Sequence, residues 1–465
     1  MKKYDAIVIG MGPAGMAVTA MGSAMGLDIL TIEANKVGGE CLNIGCIPSK
    51  GILKAAEALH SARNLDKYGF SSSLELNENN PLELVRQNVK AINNKKLMKS
   101  FEKAELIKGF AEFVDSHTVK VNEKLYKAKR IYIATGTTPF IPPIEGIKDV
   151  KFLTNENIFE LTYSPKSMTI IGGGAIGTEM AQAFSRLGAK VTIVHMDEHL
   201  IPNGDKEAGI LLEQELKKEG IDIYNSTKIN KVEQIDGIIK LHTEAGIFSS
   251  EELLVAAGRK AVFENLKLEA AGVITERNKI PVNNKMQTNK KNIYAVGDIN
   301  GIAQLSHAAM HQGMMALMDG ISPFSMSMLK HKNYALPWSV FTSPEIAQVG
   351  LTEKEASEQG IKYQVTKKEY IGYGLTVSVG KPEGFIKVLH SKTGKIYGVS
   401  IVGENASELI NEWTLAIQKK IRLHDIMMTM HAFPSFSMLN KMVTEDWMMG
   451  VMNNDRLRKL IKWLY

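Results

Sequence analysis

The sequence predicts an α/β protein assembled around two copies of one strand–turn–helix unit. Three observations carry that expectation. An apolar run, Ala6-Ile7-Val8-Ile9, leads into a glycine turn, Gly10-Met11-Gly12-Pro13-Ala14-Gly15. The pattern returns as Met168-Thr169-Ile170-Ile171 followed by Gly172-Gly173-Gly174-Ala175-Ile176-Gly177. In each copy a second apolar strand follows, one ending at Glu33 and the other at His195, so Gly10 to Glu33 and Gly172 to His195 both span 23 residues.

Each turn has a physical purpose. The first glycine allows a tight reversal, the second lets backbone N–H groups approach a pyrophosphate, and the third lets helix and strand pack closely. The helix N-terminus then stabilises the phosphate charge. Each copy therefore reads as a Rossmann-type dinucleotide-binding unit with Gly10, Gly12, Gly15 and Gly172, Gly174, Gly177 as cofactor-binding positions. Glu33 is placed to accept hydrogen bonds from a ribose diol. His195 occupies the equivalent place in the second copy and leaves the choice between NAD(H) and NADP(H) nearly open, with Asp197 and Glu198 tilting it slightly towards NADH.

Composition bounds the rest. The chain has 465 residues, 44% hydrophobic and 23% charged, which excludes disordered, collagenous and coiled-coil classes. At about 150 residues per domain this length suggests three domains. No apolar run reaches the roughly 20 residues of a membrane-spanning helix, and Gly10 arrives too early for a cleaved signal peptide. A cytoplasmic location is expected. Of the net charge of +6, Arg456, Arg458, Lys459 and Lys462 supply +4, so the remainder is close to neutral and does not suggest a nucleic-acid surface. The 24 methionines, clustered towards the C-terminus, read as flexible core filling.

The chain has 2 cysteines, Cys41 and Cys46, too few for a disulfide scaffold yet close together. Five residues of regular helix rise about 7.5 Å, more than the roughly 4.4–6.8 Å Cα separation that a disulfide accepts. A bond between them needs an irregular backbone, which Gly45 permits. A short disulfide beside a dinucleotide site is catalytic more often than structural; two unrelated buried thiols are the alternative.

The run Cys41-Leu42-Asn43-Ile44-Gly45-Cys46-Ile47-Pro48-Ser49-Lys50 resembles the active-site segment of the flavin-dependent pyridine nucleotide-disulfide oxidoreductases, on the dihydrolipoamide dehydrogenase and mercuric reductase branch. The resemblance spans nearly the whole chain. Ala134-Thr135-Gly136 is similar to the crossover between the two nucleotide domains, Ala257-Gly258-Arg259 to the end of the nicotinamide domain, Ile293–Asp298 to the second FAD motif, and Thr342–Gly350 to the start of the dimerisation domain. It implies a discontinuous FAD domain over 1–145 and 270–333, an NAD(P) domain over 146–269, and an α+β dimerisation domain over 334–465, assembled as a homodimer. It also implies that hydride passes from NAD(P)H to FAD and on to the Cys41–Cys46 disulfide. Cys46 would be the flavin-proximal thiolate and Cys41 the exchange thiol. Lys50 and Glu179 resemble the family's ion pair near the flavin, and Ala111, Thr135, Gly136, Asp298 and Gly258 fall at cofactor-binding positions. No metal site is implied.

The chain departs from the family where protons are transferred. A His-Ala-His-Pro-like segment, with a glutamate five residues after the second histidine, is expected near the C-terminus. Here it reads His431-Ala432-Phe433-Pro434, with Met438 in the carboxylate's place. Neither Phe433 nor Met438 carries a proton. His431 is a candidate substitute through a shifted geometry, and a structural side chain otherwise. The expected function is a dihydrolipoyl dehydrogenase-like reductase acting on a small-molecule or protein-bound disulfide. The alternatives are a mercuric-reductase-like, quinone or small-oxidant reductase that needs no such base, and a redox-sensing interaction protein with little turnover. Finally, Leu457, Leu460, Ile461 and Leu464 share one face of a basic, aromatic-tipped tail over 455–465 that ends in Tyr465. Such a helix either docks on the dimer or touches an anionic membrane surface.

Overall fold

The computed structural model describes residues 2–71, 80–92, 99, 101–322, 330–453 and 455–464, with side chains at all of these except 333, 455–457, 460 and 461. Tyr465 and the side chains of Arg456, Leu457, Leu460 and Ile461 therefore lie outside the described residues. The first sheet places Lys3–Ile9 between Ile29–Glu33 and Lys124–Ile133, all parallel. Glu105–Lys108 extends it beyond Ile29–Glu33, and the short strand Ile293–Ala295 returns late in the chain to pair parallel with Lys124–Ile133. Ile7, Val8, Leu30, Ile131 and Ile133 are completely or almost completely buried, as strands covered on both faces require.

The second unit repeats the design. A parallel sheet runs in the order Asp222–Tyr224, Lys190–Val194, Ser167–Ile171, Glu252–Val255, and an antiparallel meander, Ile229–Ile235, Ile238–Thr243 and Gly246–Ser250, covers part of it. The two units are joined by a ribbon in which Thr137–Pro139 pairs antiparallel with Arg259–Ala261.

The C-terminal part is an antiparallel sheet of Pro337–Val340, Glu345–Gly350, Ile396–Gly403, Phe385–His390 and Gln364–Glu369, backed by the Ala406–Lys419 helix whose Trp413 is fully buried. One ionic knot ties this sheet to the second unit. Lys387, 2% exposed, donates to both oxygens of Asp205 at 3.0 and 2.9 Å, to Glu207 at 2.5 Å and to Glu353 at 3.0 Å. Burial alone would lower the Lys387 ammonium; the carboxylates outweigh it and hold the group above its usual range. The tail is helical over Asp455–Leu464, with Trp463 and Leu464 exposed. No helix among the described residues is long and apolar enough to cross a membrane.

Candidate active site

The first glycine turn is built as a cradle. Gly10 has φ +101° and its missing Cβ would press on the Ala134 carbonyl. A Cβ on Gly15 would overlap the Gly10 carbonyl. A Cβ on Gly12 would meet nothing within 4 Å, so the face in front of the Pro13–Ala24 helix is open. That helix begins with proline at its first position, leaving its N–H groups free for an anion. Glu33 is oriented over the turn: Oε2 accepts from Met11 N–H at 2.6 Å and Oε1 from Asn35 N–H at 2.7 Å. An open anion-binding face beside a fixed carboxylate fits the diphosphate and ribose of FAD.

The second turn repeats this. Gly172 has φ +115° and closes on the Ala256 carbonyl, Gly177 on the Gly172 carbonyl, and Gly174 faces open space. His195 is buried, and burial keeps its imidazole below the usual range. Its Nδ1 accepts from Gly173 N–H at 3.0 Å, and its Nε2 lies 3.1 Å from the His199 carbonyl. The side chain thus faces its own turn.

The redox pair sits just beyond the first cradle. Cys41 lies in the short Gly39–Asn43 helix and Cys46 opens the Cys46–Arg63 helix. Between them the helix is broken, with Gly45 at φ −136°, ψ −114°, which is the irregularity a bond between the two sulfurs requires. Both cysteines are free thiols in this structure. Three cationic or donor groups converge on Cys46: the Cys41 thiol, the Ser306 hydroxyl at 3.2 Å from Sγ, and the Lys50 ammonium. The Cys41 hydrogen bond leads, and together these outweigh burial and bring Cys46 down to about 6. The first turn of its own helix favours the thiolate further. The same hydrogen bond, then burial, pushes Cys41 well up. Negative charge therefore collects on Cys46 while Cys41 keeps its proton.

Lys50 and Glu179 meet as an ion pair at 2.7 Å. The second Glu179 oxygen accepts from Phe341 N–H at 3.0 Å, and the Lys50 ammonium lies 4.5 Å from the Phe341 ring centre. One turn on, the Gln182 amide exchanges two hydrogen bonds of 2.7 Å with the backbone of Ser343. The helix that follows the second glycine turn is thereby pinned against both the redox helix and the C-terminal sheet.

A second polar cluster surrounds the crossover. Arg259 bonds to Glu40, one residue before Cys41, and to Thr137 Oγ1 at 2.7 Å, while Thr137 donates to Asp298 at 3.3 Å. Burial pushes the Asp298 carboxyl up, with Arg259 pulling against it. Thr135 donates to the Val262 carbonyl at 2.6 Å, Gly136 has φ +69°, and the Gly258 carbonyl accepts from Phe140 N–H at 2.9 Å. These three residues thus shape the crossover backbone. Ala111 packs in the first unit's core. The roles of Ser306, Phe341 and Glu40 were not readable from the sequence: Ser306 and Phe341 reach the site from distant elements, and Glu40, although beside Cys41, is committed by Arg259 from far along the chain.

At the proton-transfer position, Phe433 is 76% exposed and bare of any ionisable function. Met438 starts the Met438–Met452 helix and leans on the C-terminal core. His431 is turned inward: its side chain is only 5% exposed, with Nε2 at 3.0 Å from Glu412 Oε1 and Nδ1 at 3.1 Å from the Thr429 carbonyl. Both ring nitrogens face acceptors within the chain, an arrangement that fits the structural alternative given for His431 better than the catalytic one. Among the described residues no group of His, Cys, Asp and Glu could hold a metal ion.

Comparison with known proteins adds independent findings. Residues 4–313 match the family model described as pyridine nucleotide-disulphide oxidoreductase, and residues 336–443 match that family's dimerisation domain. A dihydrolipoyl dehydrogenase of Thermus scotoductus is 36% identical, with 94% of this chain and 96% of that protein covered. A mercuric reductase of Bacillus cereus is 34% identical over 92% of this chain and 69% of its own length. The solved structure of the HOCl-induced flavoprotein disulfide reductase RclA from Escherichia coli superposes with a TM-score of 0.85 at 24% identity, covering 96% of this chain and 100% of that one.

Proposed function

The chain belongs to the pyridine nucleotide-disulphide oxidoreductase family and is an FAD-dependent NAD(P)H:disulfide oxidoreductase; from that premise we propose that it works reductively, through Cys41 and Cys46, on an acceptor that needs no protein base. The observation that carries this is the pairing of a stabilised Cys46 thiolate with an aromatic side chain, Phe433, at the acid/base position. FAD supplies hydride acceptance from the nicotinamide and two-electron delivery to the disulfide. Gly10, Gly12, Gly15, Glu33 and Asp298 would hold it; Gly172, Gly174 and Gly177 would hold NAD(P)H.

The rest is the work of this chain's own groups. Two electrons and two protons convert the Cys41–Cys46 disulfide to the dithiol. Cys46 gives up one proton and is held as thiolate by Cys41, Ser306 and Lys50. Cys41 attacks a substrate disulfide and its proton leaves with the first substrate thiol; Cys46 then displaces the second, which takes a proton from solvent, and the Cys41–Cys46 bond is restored. With a lipoyl substrate, no group at 433 or 438 relays the Cys41 proton in reduction, or the substrate thiol's proton in the reverse, dithiol-oxidising direction. A positioned base contributes about 10²–10⁴-fold, so turnover of lipoyl substrates is slow here in both directions.

The unit proposed to act is a cytoplasmic homodimer formed through residues 336–443. The Asp455–Leu464 helix is proposed to dock on that dimer, with an anionic membrane surface as the second occupant. Deleting residues 456–465 and measuring vesicle co-sedimentation separates the two. For the reaction, FAD-loaded protein is mixed with lipoamide and NADH or NADPH, and then with dihydrolipoamide and NAD⁺. Flavin and disulfide reduction with slow turnover in both lipoyl assays supports the reading. Fast dihydrolipoamide oxidation would overturn it.

A further inference from the structure

Glu33 and His195 end the second strands of the two nucleotide units, and each accepts a hydrogen bond from the second residue of its own glycine turn. Met11 N–H donates to Glu33 Oε2 at 2.6 Å; Gly173 N–H donates to His195 Nδ1 at 3.0 Å. What remains afterwards differs. Each carboxylate oxygen has a second acceptor site, so Glu33 can still bind a diol. A neutral imidazole has one acceptor nitrogen, and in His195 it is spent. The other nitrogen faces the His199 carbonyl at 3.1 Å and must donate. Geometry thus fixes the Nε2–H tautomer and leaves no free acceptor.

The ring is also locked in place. A Cβ on Gly173 would lie 2.8 Å from both Cγ and Cδ2 of His195. Glycine is therefore needed where the first unit carries Met11, because the imidazole and the Leu200 side chain both lie against this turn where the other has a slender carboxylate. Around it, Met196 is 73% exposed, Asp197 lies 3.5 Å from Nε2 at 58% side-chain exposure, and Glu198 is offset by Lys206 at 3.6 Å.

Resting on the assignment of the Gly172–Gly177 turn as the nicotinamide-nucleotide site, we propose that His195 is an internal clasp that makes this site nearly indifferent to the adenosine 2′ substituent, so that NADH and NADPH both serve as donors. A carboxylate at this position would hold the ribose hydroxyls and repel a 2′-phosphate; an arginine would attract the phosphate. His195 does neither, and the neighbouring charges are exposed and screened.

The test uses FAD-loaded protein and two probes without nicotinamide, ADP-ribose and 2′-phospho-ADP-ribose, titrated by calorimetry, alongside kcat/KM for NADH and NADPH. The expected ratios for each pair stay within about tenfold. His195→Glu, which can accept Gly173 N–H as Glu33 accepts Met11 N–H, is expected to favour the unphosphorylated member by a further tenfold or more, on the order of one gained hydrogen-bonded pair plus repulsion. His195→Gln can keep both clasp bonds and is expected to hold the parental ratio within about threefold. Discrimination beyond tenfold in the parent, or a His195→Glu ratio equal to the parent's, overturns the clasp while leaving the reductase intact. Absence of binding by both probes and both nucleotides would overturn the nicotinamide assignment itself. Should His195→Glu fail to fold, the parental and His195→Gln ratios decide alone.

Discussion

Lys50 and Glu179, 129 residues apart in sequence, meet at 2.7 Å, with Glu179 buried and Lys50 half-exposed. Solvent at Lys50 limits the pair itself to about 1 kcal/mol. Glu179 also accepts from Phe341 N–H, and leaving that donor unpaired costs about 1–3 kcal/mol. Glu179→Ala is therefore expected to lose about 2 kcal/mol of stability, and Glu179→Gln, which keeps an acceptor for Phe341, less than half of that. Urea unfolding of the holoprotein measures both; equal losses would show that the Phe341 bond contributes nothing.

The charge on Cys46 is readable by alkylation. In the reduced protein, iodoacetamide modification of Cys46 is expected to fall off as pH drops through about 6, because the thiolate is the nucleophile. Ser306→Ala and Cys41→Ala each remove a donor to that thiolate, so each is expected to move the midpoint upward, Cys41→Ala further. A midpoint that stays put in Cys41→Ala would show that the Cys41 thiol does not stabilise the charge.

Phe433→His combined with Met438→Glu restores an imidazole and a carboxylate at the family's spacing. Dihydrolipoamide oxidation is expected to rise by about 10²-fold or more in the double variant, with Phe433→His alone giving less because its ring lacks an orienting partner. Steady-state assays with NAD⁺ measure the gain. An unchanged rate would place the block on lipoyl chemistry elsewhere, in substrate access or in the reduced flavin.

Acid should destabilise this fold through buried and half-buried histidines. Burial depresses His390, which shares a 2.9 Å hydrogen bond with Thr366, below its ordinary 6.5. His60, His195, His311 and His331 are depressed for the same leading reason. The neutral form is favoured in the fold, so this stability is present above the unfolded value of 6.5 and is lost as pH falls through the lower folded one. Melting temperatures are expected to drop between about pH 7 and pH 5, and to drop less in His390→Gln. A flat profile over that range would rule the histidines out.

The two glycine turns were legible because backbone sterics leave only one residue type at Gly10, Gly15, Gly172 and Gly177, and such constraints are written locally. The Cys41–Cys46 spacing foretold a broken helix for the same reason. The Lys50–Glu179 pair was reached only through family resemblance. The Lys387 knot with Asp205, Glu207 and Glu353 left no mark in the sequence at all, since a lysine in a strand reads as solvated until the sheet's neighbours are known. The hydrogen bonds His195 makes to Gly173 N–H and to the His199 carbonyl were not legible, because strand spacing fixes where a side chain starts but not which of its atoms are already bonded. For His431 the sequence left a catalytic and a structural reading open, and its place two residues before 433 did not show that Glu412 and Thr429 turn it inward.

The ribbon of Thr137–Pro139 against Arg259–Ala261 brings the entrance and exit of the second nucleotide unit into one hydrogen-bonded pair, with Thr138 opposite Lys260. Topologically the unit is a guest: a loop of chain whose two ends leave the host side by side. Splicing the host across that pair needs only a short turn, and the excised guest begins and ends at one point, so its own termini could be joined as easily. The covalent link between guest and host is thus a two-stranded stem, and the host sheet, completed by Ile293–Ala295 only after the guest has been threaded, cannot close during synthesis until the guest has emerged.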